Sequence, residues 1–322
     1  MQVVRVHEPG GPEALRLDEM PTPEPGPGQA LVKVAAAGVN FIDIYHRSGQ
    51  YQVQLPFAIG REGAGTIEVL GDGSDLHVGQ SVAWAGVQGS YATHVLAPLS
   101  ELVLVPDGFD LKTAAAAMLQ GMTAHYLTHS TYPLQPGSTC LIHAAAGGVG
   151  QLFCQMARMR SARLIIGTAG SESKADLARQ AGAHEVILYT QQDFLGEVRR
   201  LTDGAGVDVV YDSVGKDTFD KSLSCLKPRG TMVLFGASSG AVPPWDINIL
   251  QQRGSLYVTR PTLAHYTATP DELRWRSGDI FNWLKSGALR LRIEETFALR
   301  DAAEAHRVLA SRRTAGKLLL MP

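Results

Sequence analysis

The sequence has little cysteine. Only Cys140, Cys154 and Cys225 occur among its 322 residues, and their positions show no pair spacing. This scarcity argues against a disulfide framework and favours a reducing compartment. Positions 1–7 also lack the charged and then apolar pattern of a signal segment. We therefore expect a cytoplasmic protein.

Long apolar runs and an excess of one charge are absent as well. No stretch of the sequence reaches the ~20 apolar residues of a membrane span. The chain has 29 Lys and Arg against 31 Asp and Glu, a net charge of −2, and no basic cluster interleaved with aromatic residues. We expect no membrane as a partner, and nucleic acid is not expected as the main partner.

What is present divides the chain into two kinds of pattern. Positions 1–121 carry short β-like runs broken by Gly and Pro, which predict a compact, partly barrel-like β domain. From 122 to 260, strand and helix patterns alternate, which is typical of an α/β, doubly wound parallel sheet. The six predicted strands match a full Rossmann dinucleotide-binding domain and cover Thr139–His143, Leu164–Thr168, Glu185–Tyr189, Val207–Asp212, Thr231–Phe235 and Leu256–Thr259.

Residues 261–322 return to a mixed pattern. We infer that they belong to the first domain, so that the nucleotide domain is inserted into a discontinuous β domain. Phe297–Arg312 is predicted to be a helix with Asp301 as a cap or first-turn residue. Lys317–Met321 is predicted to be a final strand.

A glycine-rich turn joins the first strand of the nucleotide domain to its helix. In a fingerprint of three glycines spaced one, three and six, the corresponding residues are Ala145, Gly147 and Gly150, with Gly148 and Val149 between the last two. Such a turn lets the backbone approach a pyrophosphate, and the helix start directs N–H groups at the anion. Ala145 departs from the fingerprint, but alanine can serve if the turn needs no positive φ there.

The end of the next strand predicts which dinucleotide is bound. An enzyme that uses NAD usually has Asp or Glu at this point, where it binds the ribose 2′-hydroxyl. This sequence instead continues neutrally through Gly170 to Ser171 and Lys174, a hydroxyl and an ammonium that would attract a 2′-phosphate. Glu172 is expected to point outward from the first turn of the helix, where acids are favoured. The pattern therefore favours NADP(H).

Motifs along nearly the whole chain carry a family resemblance. They lie at 25–29, 37–43, 47–51, 60–65, 143–150, 211–215, 235–240, 256–261 and 311–317. With these motifs the chain closely resembles the zinc-independent quinone oxidoreductases, the zeta-crystallin-like NADPH:quinone reductases of the medium-chain dehydrogenase/reductase superfamily. The resemblance implies a GroES-like catalytic domain, a Rossmann domain and a homodimer formed partly by joining nucleotide-domain sheets edge to edge.

The resemblance also implies the roles of individual residues. Lys174, Tyr189 and Arg312 (with Arg313 as the neighbouring alternative) would grip the 2′-phosphate and the adenosine end. Asn40, Tyr45 and Tyr51 would surround the nicotinamide and the substrate. Further contacts with the cofactor are implied for Ser213, Phe235, Gly236, Ser238, Val258 and Arg260.

The residue types at the zinc positions differ from those of zinc-dependent relatives. Such relatives supply a Cys and a His where this sequence has Asn40 and Arg61, and they carry a four-cysteine lobe where positions 86–120 contain no cysteine. An amide is a poor zinc ligand and a guanidinium is not one. We expect no metal.

The expected reaction follows from these residues. Without a Lewis acid to stabilise an alkoxide, the better acceptor carries its own electron sink, so we predict hydride transfer from NADPH to a quinone. Tyr51 would donate a hydrogen bond or stack on the quinone ring, or else only line the pocket. Asn40 would orient the carboxamide or the substrate, or else only form a turn, and Tyr45 would otherwise only pack in the core. The alternatives are an NADPH-dependent enoyl or alkenal double-bond reductase and, in another class, a protein that binds a cofactor or AU-rich RNA.

Overall fold

The structure is a computed structural model that describes residues 1–73 and 75–322. Its strands are β1 Gln2–Val6, β2 Leu15–Glu19, β3 Gln29–Val39, β4 Phe57–Ala58, β5 Glu62–Leu70, β6 Ser81–Trp84, β7 His94–Pro98, β8 Val103–Leu104, β9 Thr139–Ile142, β10 Leu164–Ala169, β11 Glu185–Leu188, β12 Val207–Asp212, β13 Leu226–Leu234, β14 Tyr257–Thr259, β15 Ile293–Ala298 and β16 Lys317–Met321.

The α-helices are α1 Phe41–Arg47, α2 Leu111–Tyr126, α3 Gly148–Met159, α4 Glu172–Gln180, α5 Phe194–Leu201, α6 Phe219–Ser224, α7 Asn248–Gln252, α8 Pro270–Ser286 and α9 Ala302–Ala310. Shorter helical turns cover Pro12–Ala14, Leu99–Glu101, Leu127–Thr131, Leu263–Tyr266 and Leu299–Asp301. Among the helices described, none combines the length and the apolarity needed to cross a membrane.

The chain divides into two compact units. The first comprises Met1–Met122 and Thr267–Pro322, and the second comprises Thr123–Tyr266. The first unit is therefore discontinuous in sequence.

The second unit is built on a parallel sheet. Within 123–266, all of which the structure describes, the sheet has six strands in the order β11-β10-β9-β12-β13-β14. Every neighbouring pair is parallel. This is the Rossmann order, and the point at which the strand order reverses lies between β9 and β12. The predicted fold class is confirmed.

The first unit is built on antiparallel pairs around the long strand β3. That strand pairs with β5, β7 and β16. In the register of these ladders, Gly38 of β3 lies opposite Glu62 on one side and Leu319 on the other. The charged ends of β5 and β16, Glu62 and Lys317, are therefore brought to the same part of the sheet although they lie far apart in sequence.

The C-terminal helix prediction was wrong in its bounds. Phe297 and Ala298 belong to β15, where Phe297 pairs with Leu320, and the helix α9 begins only at Ala302. Pairing with a neighbouring strand outweighs the local helical pattern. Asp301 precedes the helix but makes no side-chain capping hydrogen bond. The final strand was predicted with its correct bounds.

Candidate functional site

The glycine-rich turn connects β9 to α3. The backbone N–H of Ala145 donates to Thr168 O at 3.0 Å, and that of Gly147 donates to Ala144 O at 2.8 Å. Gly147 is the N-cap of α3 and has no side chain that could bond to the first helical N–H groups. Because those groups have no partner within the helix, the turn presents donors and the positive end of the helix dipole.

The packing around this turn fits a bound pyrophosphate. A Cβ on Gly150 would lie 2.7 Å from Ala145 Cα, so only glycine lets the helix approach the turn this closely. Ala145 is buried, and the positive φ of the turn falls one residue earlier, at Ala144 with φ 53°. The departure from three glycines at Ala145 therefore costs nothing, since its φ is one that any residue adopts.

The residues expected at a 2′-phosphate meet at the ends of β10 and β11. Ser171 is the N-cap of α4, and its hydroxyl accepts the Lys174 N–H at 3.4 Å. A Cβ on Gly170 would lie 2.7 Å from the hydroxyl of Tyr189, which shows how closely that ring approaches. Glu172 is exposed and pairs with Arg179 at 2.7 Å. The structure thus brings Gly170, Ser171, Lys174 and Tyr189 together.

The remaining residues proposed for the second unit lie on β14 or just after β12, β13 and β14. Gly236 packs against Ser213, because a Cβ on Gly236 would lie 2.6 Å from Ser213 O. Ser238 N–H donates to the same carbonyl at 3.1 Å, and Phe235 N–H donates to Asp212 O at 2.8 Å. Val258 pairs with Met232 inside the sheet, and Arg260 donates to Leu234 O at 2.8 Å. These residues follow the carboxyl edge of the sheet, where ligands of this fold bind.

Arg312 is the one proposed cofactor residue that belongs to the first unit. It follows α9, its N–H donates to Leu309 O at 3.2 Å, and its φ is 57°. This left-handed conformation ends the helix in the way a glycine usually does.

Asn40 contacts a fully buried ion pair of the first unit, formed by Glu62 and Lys317. Lys317 Nζ donates to Asn40 Oδ1 at 2.7 Å and also bonds to the carboxylate of Glu62. Asn40 Nδ2 donates to Glu62 Oε2 at 2.8 Å and to Gly38 O at 3.2 Å. The other carboxylate oxygen, Glu62 Oε1, accepts the Leu119 N–H at 2.6 Å. Both amide hydrogens of Asn40 are therefore engaged inside the protein, so its remaining capacity is that of an acceptor at Oδ1.

A second buried network begins at Asp43, in the first turn of α1. Its Oδ2 accepts the Asn40 N–H at 2.9 Å and the hydroxyl of Tyr91 at 2.9 Å. Tyr91 in turn lies 3.2 Å from His306 Nε2, and His306 Nδ1 lies 3.1 Å from Arg47. Because arginine only donates, His306 Nδ1 must accept and Nε2 must carry the proton.

Burial controls the protonation of these groups. It raises the pKa of Asp43 to about 7, against the lowering effect of the Tyr91 hydroxyl, the Asn40 N–H and Lys317. Burial and the Arg47 guanidinium lower the pKa of His306 to about 3. Burial and Arg61 likewise lower the pKa of His46 to about 4. Among the described residues, Asp43 Oδ1 is a buried atom without a hydrogen-bond partner.

Tyr45 and Tyr51 form an aromatic pair at the end of α1. Their ring centroids lie 5.3 Å apart in an edge-to-face arrangement, and the Tyr51 N–H donates to Tyr45 O at 3.0 Å. Tyr45 is buried and Tyr51 is half-buried. The structure places both in the same unit as Asn40. Asn40 precedes α1, Tyr45 lies near the end of that helix, and Tyr51 lies in the turn that follows it.

Sequence reasoning missed the residues that hold Asn40. Glu62 and Lys317 lie inside two motifs that carry the resemblance, at 60–65 and 311–317, but neither was assigned a role. The available signal was a lysine that opens the apolar strand β16, since a charged residue at a buried strand position needs a partner.

Comparison with known proteins decides the family. Residues 26–107 match the alcohol dehydrogenase GroES-like domain, and residues 148–269 match the zinc-binding dehydrogenase family. The sequence is 48% identical over 317 residues, 97% of each chain, to a quinone oxidoreductase from Pseudomonas aeruginosa. The chain belongs to the quinone oxidoreductase family.

One solved structure and one further relative are also similar to the chain. The solved Escherichia coli quinone oxidoreductase complexed with NADPH matches it with a TM-score of 0.98 and 40% identity over the whole of both chains. A 2-haloacrylate reductase from a Burkholderia species is 42% identical over 98% of each chain. The family and the two-part fold predicted from the sequence are confirmed.

One matching family is named for zinc binding, so the residues of this chain can be compared with the ligands that zinc requires. Asn40 is bonded to Glu62 and Lys317, and Arg61 lies 3.4 Å from Gly86 O. Across residues 1–73 and 75–322, no three His, Cys, Asp or Glu side chains lie together so as to hold a metal ion. The donor set around Asn40, with an ammonium in contact, does not suit a cation.

Proposed function

We propose that the protein is an NADPH-dependent quinone reductase that acts without a metal. The observation that carries this proposal is its 48% identity, over 97% of the chain, to a quinone oxidoreductase. The neighbour solved with NADPH supports the choice of cofactor. So do the glycine-rich turn and the neutral strand end at Gly170, Ser171 and Lys174, where no carboxylate of β10 would meet a 2′-phosphate.

The bound NADPH would supply a hydride from C4 of its nicotinamide, and a proton completes the reduction of the quinone to the hydroquinone. We assign the binding of the acceptor to Tyr51, whose half-buried ring would stack on a quinone or donate a hydrogen bond to it, and to Tyr45, which is buried and packs edge to face against Tyr51. Asn40 would contribute its Oδ1 as an acceptor, held in place by Lys317. These site assignments are proposals that rest on the positions of the three residues around α1.

The test is NADPH oxidation by the purified protein with para-benzoquinone or an ortho-quinone after treatment with a metal chelator. We expect turnover that the chelator does not change. Crotonyl thioesters and alkenals serve as comparison acceptors, and an alkene that is reduced faster than every quinone would overturn the choice of substrate. A gel shift with AU-rich RNA tests the binding alternative, which the names of the relatives do not favour.

Lys174→Glu is expected to change cofactor preference. The substitution removes an ammonium from a 2′-phosphate and puts a carboxylate in its place, so NADPH affinity should fall about 100-fold while NADH affinity changes little. Fluorescence titration of both cofactors measures this. Lys221→Glu reverses the charge of an exposed lysine that pairs with Asp193 in the same unit, and should leave both affinities unchanged. Equal losses for both cofactors in Lys174→Glu would refute the phosphate role.

We further propose a homodimer that forms through the edge strand β14. This strand is last in the sheet order, and Tyr257 on it is 63% exposed. An exposed edge strand with an aromatic side chain is a template for pairing with a second copy. Tyr257→Lys should weaken the dimer at least about tenfold, measured by light scattering across a dilution series. Val78→Lys, at another exposed apolar residue, is the matched control. A monomeric wild-type protein at micromolar concentration would contradict the proposal.

We also propose that the protein is a zeta-crystallin-like member of the family and that it lies in the cytoplasm. We propose a GroES-like catalytic domain formed by residues 1–121 and 261–322, and a Rossmann NADP-binding domain formed by residues 122–260. The cytoplasmic location is supported by Cys140, Cys154 and Cys225, which are buried and form no disulfide. Fractionation of the source cells would test it.

A further inference from the structure

Four buried polar side chains form a continuous line beneath the glycine-rich turn. Thr168 Oγ1 lies 3.1 Å from His143 Nδ1, and His143 Nε2 lies 2.9 Å from Ser222 Oγ. Ser222 Oγ donates to Asp212 Oδ2 at 2.9 Å. All four residues are at most 2% exposed. We name these four residues the His143 chain.

The direction of every hydrogen bond in the His143 chain can be deduced. Ser222 gives its one hydroxyl proton to the carboxylate, so it must accept a proton from His143 Nε2. His143 Nδ1 is then the acceptor of a neutral imidazole, and Thr168 must donate to it. The pKa of His143 is lowered, because burial outweighs the nearby Asp212 carboxylate, and this keeps the ring neutral. With its proton given to His143, Thr168 Oγ1 is left as an acceptor.

That acceptor holds the turn itself. The N–H of Ala144 points to Thr168 Oγ1 at 3.3 Å, and the next N–H, of Ala145, donates to the backbone O of Thr168 at 3.0 Å. Ala144 has φ 53°, a left-handed conformation that is unfavourable for a non-glycine residue. A conformation of this kind persists only where its surroundings enforce it. The Thr168 hydroxyl is one of the groups that enforces it.

The other end of the chain is anchored by a carboxylate with many donors. Asp212 Oδ1 accepts the N–H of Val214 at 2.7 Å and that of Gly215 at 3.0 Å. Its Oδ2 accepts the Thr218 hydroxyl at 2.6 Å in addition to Ser222. The His143 chain therefore ties the turn after β9 to the hydrogen-bonded loop after β12, across the point where the strand order reverses.

We propose that Thr168, His143, Ser222 and Asp212 are positioning residues that hold the glycine-rich turn in the shape that receives the cofactor's pyrophosphate. The inference rests on NADPH as the cofactor of the proposed function. None of the four side chains needs to touch the cofactor. They act through the backbone of Ala144 and Ala145, whose carbonyl and N–H groups set the start of α3.

The test compares two ligands in the Thr168→Val variant. NADPH has a pyrophosphate, whereas adenosine 2′-monophosphate has only the adenosine end and the 2′-phosphate. Loss of the Thr168 hydroxyl should lower the affinity for NADPH about tenfold, which corresponds to the loss of one hydrogen bond that orders the turn. The affinity for the monophosphate should change by less than about twofold. Calorimetric titration measures both without turnover. Ser222→Ala, which removes the partner of His143 Nε2, should show the same selectivity.

Two control variants separate positioning from general stability. Thr168→Ser keeps the hydroxyl and should restore the affinity for NADPH. Thr202→Val removes another buried threonine hydroxyl of this unit, which donates to Val198 O at 2.7 Å and accepts the Gly206 N–H at 2.9 Å. It should lower thermal stability about as much as Thr168→Val without any selective loss of NADPH.

The outcomes separate the two claims. If Thr168→Val and Ser222→Ala weaken both ligands equally or neither ligand, the positioning role is wrong while the proposed function stands. If the wild-type protein does not bind NADPH, the proposed function fails and the inference fails with it.

Discussion

Replacing Lys317 with methionine is expected to lower the free energy of unfolding by about 3–5 kcal/mol, the usual cost of removing one partner of a buried ion pair. Lys317 and Glu62 are both fully buried, and the ammonium bonds to the carboxylate and to Asn40 Oδ1. Methionine fills a similar volume but leaves the charge of Glu62 with only the Asn40 amide and the Leu119 N–H. Neither group cancels a full charge at a fully buried position.

A double-mutant cycle isolates this effect. Glu62→Gln removes the charge and keeps the shape, so Lys317→Met combined with Glu62→Gln should regain most of the lost stability. Lys227→Met is the matched control, since Lys227 pairs with Asp208 at the surface and is 47% exposed. That change should cost at most about 1 kcal/mol. Urea unfolding of all four variants at neutral pH measures the set, and equal costs for Lys317→Met and Lys227→Met would refute the argument.

The sheet of the second unit could be predicted because its signals are local. Each strand is a short apolar run followed by a helical pattern, and the predicted strand Val207–Asp212 has the bounds that the structure shows. The start of α3 followed equally from the glycine spacing. The handedness of the crossovers then follows from a general rule of topology and not from this sequence, whereas the order of the strands is seen only in the structure.

The C-terminal helix failed for the opposite reason. The residues near Phe297 do not indicate that Leu320 will pair with it. Without that partner, a helix is the better prediction for this part of the sequence. The same limit applies to the site. Glu62 and Lys317 are separated by 255 residues, so their contact exists only once β3 has aligned β5 and β16 around it. The glycine-rich turn and Asn40 could be predicted from the sequence, but the buried residues that hold them in place could not.

The unfolding free energy of the wild-type protein should fall relative to Asp43→Asn as the pH rises from 5 to 8.5. Burial raises the pKa of Asp43 to about 7 in the folded protein, from 3.8 as the ordinary value. A carboxyl with a raised pKa binds its proton more tightly when folded, so its favourable contribution is complete below pH 3.8 and is lost as the pH passes about 7. About 4 kcal/mol separates the two limits, of which roughly 3 kcal/mol should be lost between pH 5 and about 7, and the difference should be flat above that.

Asparagine is a suitable replacement because it cannot ionise and its Oδ1 can accept from both the Asn40 N–H and the Tyr91 hydroxyl, as Asp43 does. Burial lowers the pKa values of His46 and His306 from 6.5 to about 4 and about 3, so both histidines add stability as the pH rises toward 6.5. This contribution is the same in wild type and Asp43→Asn, and it cancels in their difference. Other titrating groups are common to both proteins and cancel in the difference between the two unfolding curves.

Asp110→Asn gives a control of opposite sign. Burial alone would raise the pKa of Asp110, but hydrogen bonds from the N–H and the hydroxyl of Thr113 outweigh it and lower that pKa. Its stabilisation is present at every pH above the ordinary value and is lost only in acid, so this difference should stay flat from pH 5 to 8.5. If the difference between wild type and Asp43→Asn were equally flat, the pKa of Asp43 would not be raised in the folded protein. Burial beside Tyr91 and His306 would then not control the protonation of this carboxyl.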